Sequence, residues 1–206
     1  LQFFADMRGR YHEIAALLRE AIRHFPLAPD AEQTAILCRI QARLVRLVLL
    51  GNLRIEEDPR PLIDASLATA RARQDQAEIG FCLLMSGILA YWETSERGPH
   101  NHARAVELLD ECFAIYEALD DPFDKAEVLV WMPSAKHEDD LQTLRQSLSL
   151  RREIGDRNGI AWITCSLSDA MLAQLDYPAC ERYAQEALVL MREIRSIKGI
   201  LQAMFK

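Results

Sequence analysis

The chain has 206 residues, half of them apolar, with 27% charged, 7% aromatic and a formal net charge of −7. That is enough for a core burying roughly 70% of the unfolded surface. The acidic balance argues against phosphate-driven nucleic-acid binding, and no apolar run reaches the roughly 18 residues a membrane span needs; the longest, from Leu44 to Leu50, is broken by Arg46.

Ala, Leu, Glu and Arg dominate, while strand-favouring Val and Thr are scarce, which predicts helices. In chain order the helices fall over 1–8, 11–25, 30–50, 60–74, 76–93, 101–119, 122–132, 138–154, 157–174, 178–194 and 197–206. In 11–25 one apolar stripe runs through Leu17, Leu18, Ala21, Ile22 and Phe25. The helix 30–50 is apolar on more sides, through Leu37, Ile40, Leu44, Leu47 and Val48, as a helix between layers is. Stripes return in 101–119, from Ala105 to Tyr116, and in 178–194, from Ala184 to Met191.

Helix starts reveal a repeat. Asp156-Arg157-Asn158-Gly159-Ile160-Ala161 aligns with Ser196-Ile197-Lys198-Gly199-Ile200-Leu201. Asp121 with Ala126, Asp75 with Gly80 and Asp30 with Ala35 share the register, so Asp30, Asp75, Asp121, Asp156 and Ser196 form a capping series at intervals of 45, 46, 35 and 40 residues. Asp and Ser cap helices because their side-chain oxygens accept the free N–H groups of the first turn. Gly155, just before Asp156, suits the left-handed residue that ends a helix. A second series, Ala21, Ser66, Cys112, Ser147 and Ala187, has the same intervals, and small residues there let neighbouring helices approach. Each hairpin leaves an apolar face open, so hairpins must stack into one elongated domain over 1–206, with no internal linker.

Cys38, Cys82, Cys112, Cys165 and Cys180 lie in apolar helical stretches without CxxC spacing and read as buried small hydrophobes of a reducing cytoplasm. No signal peptide is visible. The chain begins without Met and stops inside a starting helix, so a fragment of a longer protein is expected. His100 and His102 are too few for a metal site. Asp139 and Asp140 at a helix start are explained by the helix dipole. No nucleophile, base and orienting group assemble in any motif, so no enzyme, metal or cofactor is expected.

Arg39, Arg43 and Arg46 form a basic stripe on an otherwise apolar helix. Such a stripe either grips a carboxylate or phosphate or pairs with neighbouring acids such as Glu32, Asp64 or Glu78. Tyr91-Trp92, Trp131 and Trp162 lie on first helices of the hairpins, either as core plugs or as anchors for a peptide. The candidate ligand or partner site is therefore Arg39, Arg43, Arg46, Tyr91 and Trp131.

Gly9-Arg10-Tyr11-His12-Glu13 through Leu18, Ala21 and Pro26 resembles the second half of a tetratricopeptide repeat, and Leu175-Asp176-Tyr177 through Ala187 repeats the pattern with Leu in place of Gly. The stretch from Leu148 through Ile154-Gly155-Asp156-Arg157-Asn158-Gly159-Ile160-Ala161 resembles the longer-period arrays attached to bacterial STAND signal-transduction ATPases, many of them transcriptional regulators. Departures are the short 122–155 unit, whose first helix runs into Pro133, and the long 52–60 and 94–100 connections. The resemblance implies an all-α, right-handed superhelical solenoid of antiparallel hairpins with about eleven helices. It implies a cytoplasmic module that binds a protein, a peptide or a small-molecule inducer, and it leaves room for a homo-oligomer. Nucleotide chemistry would belong to another domain, since no GxxxxGK[ST] phosphate loop is present. A plain protein scaffold is the alternative; an enzyme with a pocket in the array is a remote one.

Overall fold

The computed structural model describes residues 10–26, 29–51, 58–97, 103–136 and 141–204. Among these residues there is no strand and there are ten helices: α1 (Tyr11–Arg23), α2 (Ala31–Leu50), α3 (Arg60–Ala72), α4 (Gln76–Arg97), α5 (Ala103–Ala118), α6 (Pro122–Lys136), α7 (Leu141–Glu153), α8 (Arg157–Ala173), α9 (Tyr177–Glu193) and α10 (Ile197–Met204). The expected helix 1–8, the histidines at 100 and 102 and the acidic run from Glu138 to Asp140 lie outside the described residues.

The helices gather into two compact units, Arg10–Leu119 and Asp120–Lys206. In the first, α1 packs on α2, α2 on α3, α3 on α4 and α4 on α5, and the alternate helices α2 and α4 also touch. In the second, each helix from α6 to α10 packs on the next, and α8 also touches α6 and α10. That is the arrangement of stacked hairpins, with first helices α2, α4, α6, α8 and α10 and second helices α1, α3, α5, α7 and α9.

All five expected caps accept backbone N–H groups. Asp30 takes those of Glu32 and Gln33 at 2.9 and 2.8 Å, and Gln33 closes a capping box by accepting the Asp30 N–H at 3.1 Å. Asp75 accepts from Glu78, Asp121 from Phe123 and Asp124, Asp156 from Gly159, and Ser196 from Gly199. Asp176 is a sixth cap, accepting from Ala179 at 3.1 Å.

Stop and start are fused in these turns. The residue before the cap is left-handed in each of Gln74, Asp120, Gly155, Leu175 and Arg195, with φ between 52 and 71°. The cap's own N–H then reaches back to the carbonyl five residues earlier: Asp75 to Ala70, Asp156 to Arg151, Asp176 to Met171 and Ser196 to Met191, at 2.9–3.1 Å. This is the Schellman closure, so one residue both ends a helix and begins the next. Only at Gly155 does the left-handed position carry the residue free of a Cβ penalty.

The small-residue series has a bonding reason as well as a steric one. Ser66 donates to the Cys38 carbonyl at 2.9 Å, Ser147 to Ala126 at 2.8 Å, and the Cys112 thiol to Gly80 at 3.1 Å, each onto the facing first helix. Ala187 packs instead into a cluster with Ala161, Cys165 and Met191. Ala21 is exposed. In the first unit Tyr11, Ile14 and Ala15 meet Leu44, Leu47 and Val48. In the second, Leu144 and Leu148 meet Ile163 and Leu167.

The expectation that α6 stops at 132 is corrected: the helix runs through Pro133 to Lys136. A proline forfeits its own N–H bond to the carbonyl four residues back and strains that turn, but later residues regain the ladder. All five cysteines are free and buried, as expected. Burial pushes the Cys82 thiol up to about 12, with the Glu78 charge adding to it, so this sulfur stays a neutral thiol.

Candidate functional site

Arg39, Arg43 and Arg46 are spaced four and three residues apart, which puts them on one face of α2. That face looks toward the first turn of α4. There the cap Asp75 and, one turn on, Glu78 supply two carboxylates. Arg39 pairs with Asp75 and approaches Glu78 at 3.8 Å, while Arg43 Nη1 donates to Glu78 Oε1 at 2.5 Å. The Arg43 guanidinium also lies 3.7 Å from the centre of the Phe81 ring, a stacked cation–π contact.

The cluster is therefore two cations against two anions. Glu78 is nearly buried, with 8% of its side chain exposed, whereas Arg39 and Arg43 keep 53% and 38%. Of the acids expected as structural partners, Glu78 is one; Asp75 was expected only as a cap. Its two oxygens divide the work, Oδ1 accepting from the Glu78 N–H and Oδ2 holding Arg39.

Arg46 is buried, which leaves the stripe one exposed member, Arg39, and one half-buried member, Arg43. Tyr91 is half-buried on the same helix as Glu78 but thirteen residues further on, about 20 Å along the axis. Trp131 is half-buried in the second unit. The structure thus brings Arg39 and Arg43 together and places Tyr91 apart from them. Trp162 packs at the edge of the Ala161–Met191 cluster, with the Lys198 amine 5.8 Å from its ring centre.

Burial pushes the Asp75 carboxyl up, but the Arg39 hydrogen bond, the Glu78 N–H and the charges of Arg39 and Arg73 outweigh it and hold the group below the usual carboxylate range. A depressed folded-state value stabilises the fold above the unfolded value of about 3.9, and the gain is lost as pH falls through the lower folded value. Asp75→Asn keeps a capping oxygen and removes the charge. Its melting temperature is expected to lie below that of the parent at pH 7, with the gap closing below about pH 4. A gap that is constant from pH 7 to pH 3 rules out this role for the Asp75 charge.

Among the described residues no group of His, Cys, Asp and Glu is arranged to hold a metal, and no helix is long and apolar enough to cross a membrane.

No protein-family model matches the chain. No curated protein matches it in sequence. Its structure is similar to the crystal structure of a signal-transduction ATPase with numerous domains (STAND) protein with a tetratricopeptide repeat sensor from Pyrococcus horikoshii. The likeness covers 96% of this chain at a TM-score of 0.65 and 15% identity, and spans 29% of the Pyrococcus chain. Identity that low speaks to the fold alone. Taken with the capped hairpins and the touching first helices, it establishes that this chain has the fold of a tetratricopeptide-like array.

Proposed function

We propose that this chain is the sensing or protein-interaction array of a STAND-type signal-transduction regulator, with no catalysis of its own. The observation that carries the reading is the likeness of nearly the whole chain to a STAND protein described by its tetratricopeptide sensor. In this reading the array belongs to a cytoplasmic bacterial regulator, of transcription in the fullest form of the proposal. It receives a protein, a peptide or a small inducer, and passes the event to a nucleotide-binding domain elsewhere in the protein.

The surface we put forward for an anionic ligand is the exposed edge of Arg39 and Arg43. A carboxylate or phosphate arriving there meets two preoriented guanidinium groups beside the Phe81 ring. The ligand competes with Asp75 and Glu78, so affinity is expected to be modest and salt-dependent. Arg46 and Trp131 are weaker members of this site: the former is buried and the latter sits in the second unit.

The test adds the 206-residue chain in trans to the regulator's nucleotide-binding domain and follows ATP turnover. The chain alone should hydrolyse no ATP, and together they should show a changed rate. An Arg39→Ala/Arg43→Ala variant with unchanged helical circular dichroism should need on the order of tenfold more protein or inducer for the same change. Turnover by the highly purified chain alone defeats the non-catalytic reading. No effect in trans leaves the array a plain scaffold, and an effect indifferent to the double variant moves the site elsewhere.

A further inference from the structure

At the five turns with a left-handed residue, the residue five before the cap is the core plug. Ala70, Tyr116, Met171 and Met191 hold this place before Asp75, Asp121, Asp176 and Ser196, and all four are buried and apolar or aromatic. Arg151 holds it before Asp156 and is just as buried, at 4% exposure.

Comparison with the following repeat makes the substitution specific. The Met191 side chain lies over Gly199, the third residue after its cap, so closely that a Cβ there would overlap the sulfur. Arg151 lies over Gly159, also third after its cap, where a Cβ would overlap the guanidinium and the Asp156 carboxylate. The sixth residue after the preceding cap is Trp162 in one case, packed on the cluster that holds Met191. In the other it is Glu127, whose Oε2 accepts from Arg151 Nη2 at 2.6 Å. Arg151 Nη1 donates to Asp156 Oδ2 at 2.5 Å, and Arg151 Nε is buried without a hydrogen-bond partner. An apolar plug and its aromatic neighbour are thus replaced, in one repeat, by a guanidinium shared between α6 and the cap of α8.

A buried charge cluster is a poor substitute for apolar packing of similar volume, because desolvation offsets its attraction, and an unpaired buried Nε deepens the deficit. The same cluster is highly directional and fails all at once when one member moves. We propose that Arg151, Glu127 and Asp156 form a release point at which the hairpin α6–α7 separates from α8 more readily than α9 separates from α8. Signalling through a repeat array needs a junction with two accessible arrangements. The inference concerns local opening and stands whether or not the chain is a sensor.

Hydrogen exchange read by mass spectrometry on the 206-residue chain tests it. In the parent, amides of α6 and α7 should exchange about tenfold or more faster than those of α9. Arg151→Met, Glu127→Leu and Asp156→Asn combined restore the plug of the next repeat and retain a capping oxygen. That variant should slow exchange in α6 and α7 by about tenfold, leave α9 unchanged and raise the melting temperature. Two results overturn the proposal. One is α6 and α7 exchanging as slowly as α9 in the parent. The other is a triple variant that exchanges faster, melts lower or fails to fold, which makes the cluster a stabilising clamp.

Discussion

Asp156→Ala is expected to destabilise the chain by about 3 kcal/mol, beyond the ~1 kcal/mol of an ordinary lost cap. Its two oxygens do different things. Oδ1 accepts the Gly159 N–H at 2.9 Å and holds the first turn of α8, while Oδ2 accepts from the buried Arg151 at 2.5 Å. Alanine removes both and leaves Arg151 with Glu127 alone in a place that is nearly dry. Asp30 is the internal control, since its bonds are all to exposed backbone and to Gln33, so Asp30→Ala should cost about 1 kcal/mol. Asp156→Asn separates the contributions, because the amide oxygen still caps while the carboxylate charge that faces Arg151 is lost, and it should fall between the two. Urea unfolding of the three variants decides the matter. Equal midpoints for Asp30→Ala and Asp156→Ala show that the Arg151 bond adds nothing to the cap.

What was legible in the sequence follows from how local each interaction is. Caps leave a mark because the free N–H groups of a first turn must be met within three residues, so Asp30, Asp75, Asp121, Asp156 and Ser196 announce themselves by type and spacing. The small-residue series was legible for the same reason at longer range, since one period serves two facing helices. Asp176 escaped because it caps a second helix, α9, and so stands outside the register that the first-helix caps share. The end of α6 escaped because a proline is read as a stop, whereas it removes only one bond of the ladder.

The charged residues were less legible. Nothing in composition distinguishes a solvated arginine from a buried one, and Arg151 and Arg152 are neighbours with opposite fates, the first buried and the second exposed. The signal existed only in the column formed by aligning the caps, where Arg151 stands among Ala70, Tyr116 and Met191. The stripe Arg39, Arg43 and Arg46 was visible as a stripe, but its partners depend on how α2 and α4 are stacked. Spacing along one helix says that three guanidinium groups share a face; it does not say that Asp75 and Glu78 wait opposite.

Gly80→Val is expected to cost about 3 kcal/mol, although glycine in a helix interior is ordinarily a weak point that a larger residue improves by up to ~1 kcal/mol. Gly80 stands five residues after its cap, where three of the other repeats have Ala35, Ala126 and Ala161 and the last has the exposed Leu201. A Cβ on Gly80 would sit 2.8 Å from Tyr116 Cζ and 3.1 Å from both Cε atoms, and the Gly80 carbonyl already accepts the Cys112 thiol. Tyr116 has nowhere to go, being 1% exposed with its hydroxyl 3.5 Å from the Ala77 carbonyl. Overpacking therefore outweighs propensity, and the ring must either leave its rotamer or push α5 off α4. The partner substitution identifies the cause. Tyr116→Leu shortens the side chain that clashes, so the pair Gly80→Val/Tyr116→Leu should be more stable than the sum of the two single losses by at least about 1 kcal/mol. A double variant whose loss equals that sum, measured by denaturant midpoint, means that Gly80 is glycine for some reason other than the approach of Tyr116.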